Sequence, residues 1–249
     1  VAQWIVDGAD PTIGAALKSL RAMPLTELFR RPQNAAVPTF EVALFYNPEQ
    51  RTEVNIVPGL VGIILTMTMV LFTSAAIVRE SEQGNMEMLI NTPVRPAELM
   101  LGKIVPYLLI GLIQASLILG LGRIIFGVSI AGSLWLLFWG MLLFIAASLS
   151  LGLVFSTIAK TQLQAMQMTI FVVLPSVLLS GFMFPYEGMP EPAQWLSNLL
   201  PVTHFLRLIR GIVLRDAGLA EIAPQMLWLA GFALAGLAAA SARFRKRLD

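Results

Sequence analysis

The sequence predicts an α-helical polytopic membrane protein preceded by part of a small α/β domain. Composition points there first: 57% of the 249 residues are hydrophobic and 13% are charged, where a soluble domain carries about 25% charged residues. Run length points the same way. A bilayer core of about 30 Å needs about 20 apolar residues as a helix, and five stretches meet that need without an internal Asp, Glu, Lys or Arg: 56–78, 104–122, 134–159, 163–186 and 222–242. Helices are the reading for all five, because backbone facing lipid must satisfy its own hydrogen bonds and the alternating pattern of a membrane barrel is absent. Residues 1–55 differ in kind, being mixed and polar.

The first of these segments has the punctuation of an α/β piece. Residues 2–6 are a candidate strand and Asp7-Gly8 a turn. Asp10-Pro11 fits an N-cap followed by proline at the first helical position, opening a helix over about 11–22. A second candidate strand spans 40–46, closed by Asn47-Pro48. Two strands and one helix make too little core to stand alone. With Val1 at its head and no signal peptide, the chain is expected to follow an upstream span that places residues 1–55 outside the cell.

Within the apolar part, Pro58 and Pro106 sit near helix starts, where proline is tolerated. Pro175, in the middle of the fourth run, is expected to kink it. Gln114, Ser116, Ser148, Ser150, Ser156, Gln164, Gln167 and Thr169 are expected to hydrogen-bond between helices.

Basic residues orient the chain. Arg79, Arg95, Lys103, Lys160, Arg243, Arg245, Lys246 and Arg247 fall on one side, and Arg123, Arg207, Arg210 and Arg215 on the other. Eight against four puts residues 79–103 and the C-terminus in the cytoplasm. Residues 1–55 are then extracytoplasmic.

Several function classes fall away on composition. The chain has no cysteine and a single histidine, His204, which excludes disulfides and multi-histidine metal sites. A net charge of +2, spread along the chain, leaves no basic domain for nucleic acid. No intramembrane carboxylate is present to relay protons or sodium ions. Glycine-rich phosphate loops, zinc-binding helices and nucleophile elbows are missing, so no cofactor is expected, and any energy for work would come from another polypeptide.

Two segments could carry function. In 79–103, Glu80, Gln83, Gly84, Glu87 and Asn91 share one helical face, and Met86, Leu89, Ile90 and Pro93 share another. An amphipathic interfacial helix over 79–93 is expected, ended by Thr92-Pro93. Its polar face is either simply solvated or a docking surface for a partner offering Arg or Lys. Between the last two spans lie Ser180-Gly181, Phe184-Pro185, Met189-Pro190, Trp195, Pro201, His204 and Arg210-Gly211. Val202, Phe205, Leu206, Ile209, Ile212 and Val213 form an apolar stripe, with Thr203, Arg207 and Arg210 opposite. That pattern fits an outer amphipathic helix or a re-entrant one. Arg207 and Arg210 either snorkel to lipid headgroups or line an exit path. His204 is expected to be a hydrogen-bonding group.

Taken together, these blocks resemble the permease subunit of ABC-2 type exporters, the type V ABC transporter fold. Asn47-Pro48 with Val57-Pro58-Gly59-Leu60 resembles that family's lead-in to its second membrane helix. Arg79-Glu80-x-Glu82-x-Gly84-x-Met86-Glu87-x-Leu89, then Thr92-Pro93 and Gly102-Lys103, resemble its cytoplasmic coupling helix. Ser180-Gly181, Phe184-Pro185, Met189-Pro190, Pro201 and Arg210-Gly211 resemble its outer re-entrant segment over 187–215. Asn85 stands where the family usually has threonine, and Ser81 and Gln83 replace common basic residues, making this face more acidic than usual.

The resemblance implies six membrane helices in the full protein, a pairing of two permeases (alike or different), and two copies of a cytoplasmic ABC ATPase docked on the coupling helix. Glu80, Glu82 and Glu87 would meet the ATPase. The extracytoplasmic segment is similar to the multidrug-efflux-like subfamily, which implies an inner-membrane exporter of drug-like or amphipathic substrates and a periplasmic membrane-fusion partner. Export of a polysaccharide or lipid-linked polymer is the second reading. A membrane scaffold with no transport role is the reading from another class.

Overall fold

The structure is a computed structural model and describes residues 2–7, 40–45, 53–83 and 96–245. Strands β1 (Ala2–Asp7) and β2 (Phe40–Phe45) pair in parallel, with Ala2 opposite Phe40 and Asp7 opposite Phe45. A parallel pair requires a crossover of a dozen or more residues, which residues 8–39 provide. The helix expected over 11–22 lies outside the described residues.

The helices are α1 (Glu53–Glu82), α2 (Pro96–Phe126), α3 (Leu134–Ile158), α4 (Gln162–Leu179), α5 (Glu191–Leu199), α6 (Pro201–Arg215) and α7 (Leu219–Arg245). Five of them, α1, α2, α3, α4 and α7, are long and apolar enough to cross a membrane. The chain is a multi-pass membrane protein.

Helix α3 forms the centre. Phe144, Ile145, Leu149 and Leu153 are fully buried, and α3 packs on both α1 and α7. Small residues allow these close approaches, as expected where van der Waals packing drives helix association in lipid. Ser150 of α3 meets Gly236 of α7. A Cβ at Gly152 would lie 2.9 Å from the Val70 carbonyl oxygen and 2.9 Å from Thr73 Cβ on α1. Gly152→Leu must therefore force α3 and α1 apart, at a cost of about 1–3 kcal/mol or more. The expected outcome is a lowered midpoint for thermal loss of the monodisperse protein in detergent. Gly231→Ala, with nothing within 4 Å of its added Cβ, should be tolerated.

Apolar residues also cover the outside. Val105, Leu109, Ile113, Leu117, Leu121 and Ile124 form an exposed stripe on α2, as a lipid-facing helix would. Near the start of α3, Trp135 and Trp139 are exposed and contact Phe138 between them. Trp195 of α5 is also exposed. Tryptophan gathers at membrane–water interfaces, which fits the ends of these helices.

Several boundaries move from their expected places. Helix α4 continues through Pro175 but ends at Leu179 instead of 186. Ser180 caps it, and Gly181 follows with φ +86°, a left-handed turn that glycine adopts at no steric cost. Helix α1 runs on through Glu82, so Arg79, Glu80 and Glu82 belong to the end of the span helix and not to a separate helix beginning at 79. No Gly or Pro lies between Gly62 and Gly84, so nothing stops the helix earlier.

The polar residues of the spans also behave differently from expectation. Gln114 does accept a bond across helices, from Thr68 Oγ1 at 2.9 Å. Ser150, Ser156 and Thr169 instead donate back to carbonyls of their own helices, on Ala147, Leu153 and Ala165. Gln164 accepts from the Lys160 backbone N–H beside the start of its own helix. A carbonyl one turn back on the same helix is often in reach for a short hydroxyl, although the buried Ser148 hydroxyl has no hydrogen-bond partner.

Candidate functional site

At one end of the bundle, α1 closes and α4 begins. Val78, Ala159 and Ala165 are buried together there, with Met168 packed against them. Thr161 caps α4, its hydroxyl accepting from the Gln164 N–H at 3.2 Å. The Glu82 carboxylate reaches across from α1. It accepts the Gln162 backbone N–H at 3.1 Å and the Gln162 side-chain amide at 2.6 Å. The first N–H groups of a helix lack intrahelical partners and favour a nearby negative charge, which explains why a carboxylate settles there. Glu80 is half-buried, slightly earlier on the same helix. Gly84, Met86, Glu87, Leu89, Thr92 and Pro93, the remainder of the expected coupling segment, lie outside the described residues.

The other end holds the segment after α4. Pro185 leads into a single 3-10 turn, Tyr186–Gly188, and buried Met189 and exposed Pro190 lead into α5. Pro201 starts α6, where a proline at the first position sacrifices no helical hydrogen bond. The whole apolar stripe of α6 is buried, including Val202, Phe205, Leu206, Ile209, Ile212 and Val213. Thr203, expected on the opposite face, is buried as well, its hydroxyl 3.3 Å from that of Ser197.

Contacts along α3 set the course of α6. Ile212 lies against Gly132, Leu208 against Gly140, and Phe205 against Phe144. Phe144 is roughly 15 Å along α3 from its first residue at 1.5 Å per residue. The N-terminal end of α6 is thus the deeper one, and α5 and α6 together form a hairpin that dips into the bundle and returns.

A polar network fastens the hairpin. The Arg207 guanidinium lies over the Tyr186 ring, 4.4 Å from its centroid, and donates to Asn198 Oδ1 at 3.0 Å. Asn198 Nδ2 in turn donates to the Tyr186 hydroxyl at 2.8 Å. Arg207 is therefore engaged by protein groups. His204 is buried and stacked on Trp228 of α7 at 3.9 Å. Its Nε2 donates to the Asn198 carbonyl at 2.9 Å, since a carbonyl can only accept, and Nδ1 sits 3.1 Å from Gln225 Oε1. Arg210 is half-buried on the same helix, Ser180 and Gly181 are buried, and Phe184 is exposed. Among the described residues no group of three or more His, Asp or Glu side chains could hold a metal ion.

Sequence reading misses the partners of this network. Tyr186, Asn198 and the Gln225–Trp228 pair lie on three different elements, and no spacing rule connects those elements. Glu82 stands out in the sequence, but its bond to Gln162, 80 positions away, does not.

A five-span bundle with a pair of short helices before its last span is thus in place. The model of the ABC-2 family transporter proteins matches residues 5–242. The chain belongs to that family. The ABC-2 chain is 34% identical over 209 residues to "Probable multidrug ABC transporter permease YbhR" of Escherichia coli K12, covering 82% of this chain and 55% of that protein. It is 32% identical over 256 residues to "Probable multidrug ABC transporter permease YbhS" of the same organism, covering 99% of this chain and 67% of the relative. A more distant relative, "ABC transporter G family member 20" of Dictyostelium discoideum, is 28% identical over 183 residues, covering 74% of this chain and 25% of that one. The ABC-2 chain therefore spans about half to two thirds of the length of its bacterial relatives.

Proposed function

We propose that this chain is the membrane-spanning part of a permease that exports drug-like or amphipathic substrates, driven by ATP hydrolysed on a separate subunit. The observation that carries the reading is the reach of α1 and α2. They are 30 and 31 residues long, roughly 45 Å each, against a membrane core of about 30 Å. Helical residues 79–82 and 96–103 lie beyond the charge-free apolar runs, on the side of the 84–95 connection, where a soluble motor could grip them. Membership of the ABC-2 family supports the reading, as do relatives named as multidrug permeases.

In this account residues 79–93 act as the coupling segment and face the cytoplasm. Glu80 and Glu87 meet basic residues of the ATPase, and Gly84, Met86, Leu89, Thr92 and Pro93 shape the surface around them. Two ATPase copies bind beneath a pair of permeases in the bacterial inner membrane. The hairpin of α5 and α6 closes the outer end of the path, held by Arg207, Asn198 and Tyr186. A periplasmic membrane-fusion protein would meet the extracytoplasmic segment that includes residues 1–55. The test is co-expression of the full-length permease with its cognate ATPase. Stable co-purification in equal numbers supports the account, and a permease that purifies alone opposes it.

A further inference from the structure

We infer that Glu82 is a positioning residue that ties the coupling segment to α4, and not itself a contact for the ATPase. The inference rests on the exporter reading above and deepens it.

The geometry is specific to the carboxylate. One oxygen takes the backbone N–H at the start of α4 and the other takes the Gln162 side chain, at 3.1 and 2.6 Å. Glu82 lies in the last turn of α1, immediately before the 84–95 connection. One turn back, Val78 is buried against Ala159 and Ala165. A polar clasp and an apolar contact therefore join the same two helix ends.

Helix α4 has little else to hold it. Its span is 22% buried, against 67% for α3, and its main packing partner is α1. A shift of the end of α1 must either carry α4 along or break the clasp. Helix α4 leads through Ser180 and Gly181 directly into the hairpin of α5 and α6. The clasp thus begins a continuous path from the coupling segment, along the length of α4, to the opposite end of the bundle. Coupling energy can travel such a path when its parts move as a rigid unit. Each oxygen of the exposed Glu82 carboxylate already accepts one bond within the chain, which fixes its direction toward α4 and away from a docking partner.

The test uses the full-length permease reconstituted with its ATPase in proteoliposomes and compares three variants: Glu82→Ala, Gln162→Ala, and the exchange Glu82→Gln with Gln162→Glu. Co-purified ATPase, ATP hydrolysis and dye transported per ATP hydrolysed are read separately. Glu82→Ala should keep the ATPase bound and hydrolysing while transport per ATP falls roughly three- to tenfold, the scale of losing charge-assisted hydrogen bonds at a partly screened site. Gln162→Ala should lose less, because the backbone N–H remains. The exchange should restore transport, since an amide at position 82 could accept from the backbone and donate to a carboxylate at position 162. Loss of ATPase binding by Glu82→Ala, unchanged transport per ATP, or an exchange that fails to rescue would each overturn the inference. If the unaltered permease binds no ATPase, the exporter reading itself falls, a result plainly different from failure of the variants.

Discussion

Phe205→Ala is expected to destabilise the helix bundle by about 3 kcal/mol and to loosen the α5–α6 hairpin. Phe205 stacks on Phe144 with ring centroids 4.0 Å apart and planes within 9°. Both side chains are fully buried. On the facing side is Gly62 of α1, whose missing side chain is what admits the ring, so no side chain at that position could swing in to fill the space. Phe→Ala in a core costs about 3–5 kcal/mol. The low end applies here because lipid, not water, surrounds the separated helices, and the lost term is packing more than transfer. Phe205→Leu, which leaves a smaller cavity, should cost well under half as much. Titration with a denaturing detergent measures both, and hydrogen exchange of residues 191–215 reports the hairpin directly. Equal stability of Phe205→Ala and the parent would mean that the hairpin does not insert beside Phe144.

The second large effect concerns function. Glu80→Lys combined with Glu87→Lys should weaken the ATPase–permease affinity by at least about tenfold, since two partly exposed charge pairs are each worth up to about 1 kcal/mol and reversal adds repulsion. Coupled transport should fall in parallel. The affinity of the parent should decline with added salt, as attraction between partly exposed charges is screened over about 8 Å at physiological ionic strength. Binding of the purified ATPase to permease in nanodiscs reads both. Undiminished affinity in the doubly reversed variant would remove the docking role of this face.

Much of this molecule was legible because lipid imposes a simple rule. Length without charge locates the five spans, and the bounds differ mostly where a cap, not hydrophobicity, decides them. Leu179 ends α4 because Gly181 turns the chain, although Phe182, Met183 and Phe184 continue the apolar pattern. Glu82 remains helical because carboxylates at a helix end carry no stop signal of their own. The apolar stripe of α6 was visible in its spacing, but its depth was not, because spacing cannot tell an interfacial helix from one flanked by α3 and α1. The Arg207 contacts escaped for a different reason. A cation near a membrane surface can be satisfied by lipid or by protein, and only the positions of Tyr186 and Asn198 decide between them. The family resemblance supplied what neither hydropathy nor spacing holds: the coupling role of a segment whose residues 84–93 lie outside those described.

Substrate-stimulated ATP hydrolysis tests the central claim most directly. The full-length permease and its ATPase would be co-reconstituted in proteoliposomes and hydrolysis followed with and without an amphipathic dye, alongside dye movement. The account predicts that the dye accelerates hydrolysis, that it crosses the membrane only with ATP present, and that both effects require the permease. Hydrolysis indifferent to the permease, or dye movement independent of ATP, would contradict it.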